Sequence, residues 1–157
     1  MSKTDAIYEA MGRIPSGIAI LTSRAGDRST GMLASWFQQA AFAPPLITVA
    51  IHKGRYIEEL IGLSGKFVLN LLPERPGSLM RHFARGFGPD EDAFAGLQVA
   101  NSNAGPVLRG AAAHLLCKVQ ARHDAGDHYL YLAEAKGGAV TTQETSYIHR
   151  RRSGATY

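Results

Sequence analysis

Lys53-Gly54-Arg55-Tyr56 sets two cations and a phenol around a glycine, at the point where the apolar run "LITVAI" stops. A helix is expected to begin there. Helix N-termini present free N–H groups and the positive end of the helix dipole. Two cations, a close-approach glycine and a tyrosine hydroxyl suit a phosphate; the plainer reading is a solvated basic turn. Twenty residues earlier, Met32-Leu33-Ala34-Ser35-Trp36-Phe37-Gln38-Gln39 surrounds the only tryptophan with small and polar side chains. Strand alternation sends Ala34, Trp36 and Gln38 to one side and Leu33, Ser35 and Phe37 to the other. Small side chains let a flat ring approach the backbone, and Ser35 and Gln38 supply fixed polar contacts. A lone Trp is more often simply core. A planar ring beside a phosphate tail, however, describes a nucleotide-like cofactor.

A third constellation is "RHDAGDHYLYL". Asp124 and Asp127 flank a turn, with His123 and His128 beside them. One such turn without a distant third cluster is a poor metal site, and none is assigned. A histidine–carboxylate pair there could orient a second substrate, or be an Asx-type turn with surface histidines. No GxGxxG, Walker, GxSxG or HExxH pattern occurs, so no Rossmann or P-loop site is expected.

The elements that must position these residues are short and mostly extended. Thr4 can cap a helix to about Arg13, with Ile7, Tyr8 and Met11 on one face and Pro15 ending it. Strands are expected over Gly17–Arg24, 31–43 and Leu46–Ile51, the last buried on both faces. Pro44-Pro45 makes a corner between the second and third. "YIEELIGLSG" reads as a short helix with Tyr56, Leu60 and Leu63 near helical spacing, and "KFVLNLLP" as another strand. Residues 76–95 read as a short helix and then a long loop punctuated by Phe83, Phe87 and Phe94. Strands from about Ala112 to Asp124 and over "DHYLYLAEAKGGAV", with a terminal one at "YIHRRR", complete a mainly β chain. A closed antiparallel barrel with a few short helices, one domain over 1–157, is the expected architecture.

The totals narrow the function. The chain has 157 residues with 45% hydrophobic and 19% charged, a globular balance. Its one cysteine, Cys117, rules out an internal disulfide framework and fits a reducing, cytoplasmic compartment. No apolar run approaches the roughly 20 residues of a membrane span, and the N-terminal stretch carries acids rather than a signal-peptide core. The net charge of +4 is spread along the chain except at Lys53/Arg55 and Arg150-Arg151-Arg152. Neither nucleic acid nor a membrane is therefore expected as partner.

Taken in order, "RIPSGIAILTSR", "GMLASWFQQAAFAPPLITVAIHKGRYIEELI", "KFVLNLLPE" and "GDHYLYLAEA" resemble the flavin reductase-like family with the FMN-binding split-barrel fold. The run of "MLASW", a proline corner, "HF" with a following acidic loop, "GDH" and a closing "H.R.SG..Y" is similar in particular to the C-terminal flavin reductase domain of cyanobacterial flavodiiron proteins. The resemblance covers nearly the whole chain. It implies FMN, with FAD possible, bound at a homodimer interface. Leu33, Ala34, Ser35 and Trp36 would line the isoalloxazine. Gln38 and Gln39 would lie toward the ribityl or phosphate, and His52, Lys53, Arg55 and Tyr56 would hold the phosphate. Phe83 and the "GFGPDEDAF" loop would cover the ring or reach the partner subunit, and His128 would lie on the nicotinamide side as the catalytic candidate.

The implied activity is NAD(P)H-dependent flavin reduction. Hydride would pass from nicotinamide to flavin, and electrons onward to free flavin, a partner protein or oxygen, while the cofactor carries the hard chemistry. The alternatives are an FMN-binding electron-carrier module with no nicotinamide site and, more remotely, a nucleic-acid-binding barrel using the terminal arginines.

Overall fold

The computed structural model describes residues 2–156. Its framework is a seven-stranded antiparallel sheet. In chain order the sheet strands are β2 (Ala19–Ala25), β3 (Arg28–Ala34), β4 (Phe37–Ala41), β5 (Leu46–His52), β6 (Lys66–Leu71), β9 (Ala113–Ala125) and β10 (His128–Val140). Two small pairs stand outside it: β1 (Ser16–Gly17) with β11 (Ile148–His149), and β7 (Val99–Asn101) with β8 (Pro106–Leu108). Three helices complete the chain, α1 (Lys3–Met11), α2 (Tyr56–Ser64) and α3 (Leu79–Ala84).

The strand order is β3-β2-β6-β9-β10-β5-β4, so β3 and β4 form the two edges. In a flat sheet those edges would lie about 29 Å apart, at roughly 4.8 Å per strand. Only Ser35 and Trp36 separate them in the chain, a reach of about 11 Å at most. The sheet must therefore curl until its edges meet, and it forms a barrel. The single strand expected over 31–43 is broken at Ser35-Trp36, because the chain turns the barrel's corner there. The Trp36 carbonyl accepts a hydrogen bond from Ala50 N at 2.9 Å, tying the corner to β5.

Strand β2 separates two cores. Ala19 and Leu21 face the barrel interior with Val49, Ile51, Phe67 and Tyr131, whereas Ile18, just before the strand, and Ile20 face a second cluster with Leu72, Phe83 and Leu108. This is period-two alternation with both faces buried. Asn70, fully buried on β6, stitches the strands to the outer layer. Its Nδ2 donates to Ile20 O (3.0 Å) and Thr22 Oγ1 (3.3 Å), and its Oδ1 accepts from Leu108 N (2.9 Å). Cys117 is buried, and that burial pushes its thiol up to about 12.

Several local expectations change. Ser2, not Thr4, caps α1: its hydroxyl accepts from Asp5 N while the Asp5 carboxylate accepts from Ser2 N, a reciprocal capping box. The helix ends at Gly12, and its apolar face of Ile7, Tyr8 and Met11 is exposed rather than packed. In α2 the buried residues are Ile57, Leu60 and Ile61, and Leu63 points outward. Strand β5 alternates, with Ile47, Val49 and Ile51 buried and the residues between them half-buried. No helix among the described residues is long and apolar enough to cross a membrane.

Candidate functional site

A cavity of about 260 Å³ opens where the barrel corner meets α2, α3 and the C-terminal segment. The corner contributes Met32, Leu33, Ala34, Ser35 and Trp36, and β5 contributes Ala50. Helix α3 and its end supply Met80, Phe83, Ala84 and Gly86; Arg55 supplies the one lining cation with a fixed charge. Ile18, Tyr147 and His149 close the remaining side.

The walls are mostly apolar and, at Ala34, Ala50, Ala84 and Gly86, small. Phe83 is 1% exposed, and its ring stacks edge-on with Phe87 at 5.7 Å and tilted with Phe94 at 6.1 Å. The acidic loop after α3 folds back on the helix. Glu91 takes Arg85 Nη1 at 2.8 Å and Gly88 N at 2.7 Å, and those bonds, the backbone one first, hold its carboxyl below the usual range. His82 Nε2 lies 2.8 Å from Ala93 O and pins the same loop.

Arg55 is the N-cap residue of α2 and makes no side-chain capping bond. No hydrogen bond or ion pair joins its guanidinium to another described residue. It runs beside Gly86, whose φ is +74°, with Nη1 only 3.3 Å from where a Cβ there would stand. Glycine at 86 thus serves both the left-handed backbone and the arginine's path.

Of the expected site residues, Leu33, Ala34, Ser35, Trp36, Arg55 and Phe83 line this cavity. The others lie elsewhere. Gln38 and Gln39 are exposed on the edge strand β4. Lys53 is turned away: its Nζ pairs with Asp124 at 2.8 Å and sits over the Tyr129 ring, and Lys53 in turn holds the Asp124 carboxyl low. Tyr56 is half-buried in the first turn of α2. His128 and His52 stand behind Trp36 rather than in the cavity. His128 is 6% exposed, its ring centroid is 4.8 Å from Trp36 and 5.0 Å from His52, and its Nδ1 lies 2.6 Å from Asp127 Oδ1. That contact holds the Asp127 carboxyl below its ordinary range. Among the described residues no group of three or more His, Cys, Asp or Glu is placed to hold a metal.

The sequence reading missed Tyr147 and His149. Period-two alternation through "YIHRR" would have put Tyr147, His149 and Arg151 on one side, and the first two of these line the cavity. Arg151 lies with its Cζ 5.0 Å from the Trp36 ring centroid. Its Nε and Nη1 are buried and have no hydrogen-bond partner among the described residues. Desolvation first, and the Arg151 charge second, lower the pKa of His149. Ser153-Gly154 then packs on the end of α1, with Gly154 N donating to Tyr8 O. Tyr157, the last residue of the closing motif, lies outside the described residues.

An apolar slot with small walls and, at a helix start, a cation with no ion-pair partner among the described residues fit a planar aromatic ring with an anionic tail, the chemistry of a flavin nucleotide.

Comparison with known proteins agrees. Residues 11–156 match the family described as "Flavin reductase like domain". Diflavin flavoprotein A 1 of Synechocystis sp. (strain PCC 6803) is 40% identical over 154 residues, covering 96% of this chain and 27% of its own length. The chain thus spans about a quarter of the length of the curated relatives it matches. Among solved structures, the NADH:FAD oxidoreductase of Streptomyces globisporus C-1027 aligns with a TM-score of 0.84 at 23% identity, over 90% of this chain and 85% of that one. Nitrilotriacetate monooxygenase component B from Mycobacterium thermoresistibile aligns at 0.82 and 24% identity, over 95% and 83%. These likenesses identify the barrel as the split barrel of flavin reductases.

Proposed function

The chain belongs to the flavin reductase-like family, and we propose that it is an NAD(P)H-dependent flavin reductase holding FMN in the cavity at the barrel corner. The observation that carries this reading is Arg55, a cation at the start of α2 with no ion-pair partner among the described residues, which opens onto an apolar slot. A solved protein of the same fold is an NADH:FAD oxidoreductase, so FAD is the second flavin to test.

When bound, the flavin supplies the hydride-accepting ring and passes the electrons on. The chain's own residues bind, orient and shield it. Arg55 and the first turn of α2 take the phosphate with charge-assisted hydrogen bonds. Ala34, Ser35 and Ala50 leave room for the ring against the β3–β4 corner and β5. Phe83 closes the side toward the second core and excludes water from it. His128 acts as a positioning residue: with Asp127 on Nδ1 and His52 at its edge, it fixes the plane of Trp36. Lys53 adds long-range charge and no direct contact.

The partner assigned is a second copy of the chain. Ile7, Tyr8, Met11 and Ile14 leave an uncovered apolar stripe on and just after α1, and such stripes mark association surfaces. A second functional reading has its own support: the relatives are about four times longer, which favours electron exchange with another module. In that case the chain would carry electrons with no nicotinamide site. Absorbance after mixing with FMN and desalting tests the flavin site. Anaerobic bleaching of that flavin by NADH or NADPH then separates a reductase from a carrier.

A further inference from the structure

We propose that His149 is a flavin-binding residue of the cavity, whose imidazole hydrogen-bonds the polar edge of the ring and so decides which way round the ring lies. The inference rests on the flavin reading above and concerns the closing segment, which that reading leaves without a role.

Three observations meet at this residue. First, His149 lines the cavity, on the side that Ile18 and Tyr147 also close. Strand β11 holds it there by pairing with β1, which sets His149 opposite Ser16. Secondly, no hydrogen bond or ion pair joins its ring to another described residue, and neither ring nitrogen is among the buried polar atoms left without a partner. Both nitrogens therefore keep open surface. Ser16 does not engage them either, since its own hydroxyl is buried with no partner among the described residues. Thirdly, most of the wall is apolar: the side chains of Ile18, Leu33, Ala34, Ala50 and Phe83 offer a ligand no hydrogen bond. A planar ring in such a slot is oriented by the few polar groups that reach it.

The chemistry of the imidazole selects the edge. Burial first, and the Arg151 charge second, favour its uncharged form. A neutral imidazole offers one N–H donor and one lone-pair acceptor. A flavin's pyrimidine edge carries the same two functions: the C2 and C4 carbonyls accept, and the N3–H between them donates. The opposite end of the ring system carries two methyl groups and offers neither. With that end against it, the imidazole would be covered and left without a partner. The charged and titratable groups around His149 are Arg55 from the start of α2, Tyr147 two residues before it and Arg151 two residues after it. The lining residues from the corner, β5 and α3 carry none, and no carboxylate lines the cavity. Nothing there compensates a proton on His149, and a ring that covers it removes it further from water. Binding therefore favours the neutral imidazole.

The test is riboflavin binding, followed by flavin fluorescence, to the unaltered protein, His149→Gln and His149→Phe, with FMN titrations alongside. Riboflavin lacks the phosphate, so neither phosphate titration nor Arg55 enters its pH response. His149→Phe keeps a flat ring and removes both hydrogen-bonding atoms. It is expected to weaken binding of either flavin about fivefold. His149→Gln keeps a donor and an acceptor and should stay within about twofold. A merely structural role would not respond to pH. Between pH 7.5 and 5.5 the unaltered protein should lose about two- to fourfold of its riboflavin affinity, because the bound ring opposes protonation, and both variants should lose none. If His149→Phe does not fold by circular dichroism, the pH comparison of the unaltered protein with His149→Gln carries the test. Unchanged affinity in His149→Phe would overturn the proposal. So would equal losses in His149→Gln and His149→Phe, which would make His149 a packing residue, and so would a pH response that His149→Gln retains in full. Failure of the unaltered protein to bind riboflavin, FMN or FAD would overturn the flavin reading and this inference together.

Discussion

The Phe83 ring occupies the space that a side chain at residue 31 would need: a Cβ built on Gly31 stands 2.7 Å from Phe83 Cε1. Gly31 is in an ordinary extended strand, so its requirement is steric rather than conformational. Gly31→Ala is expected to push Phe83 off α3 toward the cavity and to cost about 1–3 kcal/mol of stability, the usual penalty of overpacking. Gly31→Ala with Phe83→Leu should recover part of that loss. Urea unfolding of the two single variants and the double variant measures the coupling. Strict additivity would show that the two residues do not compete for space.

Arg55 and Lys53 look interchangeable in "HKGRY", and the structure separates them. Arg55 lines the cavity with no ion-pair partner among the described residues, whereas Lys53 is held by Asp124 in an exposed pair. Arg55→Ala is expected to weaken FMN binding about 10- to 100-fold, since a charge-assisted hydrogen bond contributes about 1.5–3 kcal/mol. Lys53→Ala should cost less than about threefold, in line with exposed ion pairs. Riboflavin, which lacks the phosphate, should be indifferent to both changes. Flavin-fluorescence titrations of FMN and riboflavin check this directly. A riboflavin loss equal to the FMN loss in Arg55→Ala would remove the arginine from the phosphate.

The buried polar network at Asn70 gives a stability prediction of a different kind. Asn70→Leu keeps volume but strands Leu108 N inside the protein and removes the side-chain bonds to Ile20 O and Thr22 Oγ1. With a stranded buried group costing about 1–3 kcal/mol, a loss of about that size is expected in urea unfolding. A loss under about 1 kcal/mol would mean that water reaches these groups.

The barrel was legible because its strands carry local signals. Gly26 and Gly126 turns, the period-two pattern of β2 and the proline corner each act within a few residues. Half of the site was legible for the same reason: the small residues around Trp36 and the cation after β5 lie in one continuous stretch. What the sequence could not rank was direction. Whether Lys53 or Arg55 faces the cavity depends on Asp124, 71 residues away. His128 sits behind Trp36 because β10 pairs with β5 in the register that sets His128 opposite His52. Tyr147 and His149 join the site only because β11 docks on β1, a two-residue pairing that no propensity announces. The exposed Ile7, Tyr8 and Met11 had the right spacing for a packed face, and spacing alone does not say which chain covers it.

His149 supplies the pH prediction. Burial and the neighbouring Arg151 charge both disfavour its protonated form, so its folded pKa lies below the ordinary 6.5. As pH falls through 6.5 the unfolded chain takes up the proton before the folded one does. Stability therefore declines below that point and stops declining once the folded imidazole is also protonated. The carboxylates with lowered pKa, among them Asp124, Asp127 and Glu91, start from 3.8 to 4.5 and add their own loss only in more acid solution. Unfolding measured between pH 7.5 and 5.5 in the unaltered protein and in His149→Gln isolates this imidazole by difference. His149→Gln should flatten the slope in that interval. Arg151→Met should leave a shallower slope and move the His149 ring-proton NMR midpoint upward, because it removes the second of the two causes and not the first. An unmoved midpoint in Arg151→Met would show that burial alone sets the shift, and that the arginine's charge does not reach the cavity wall.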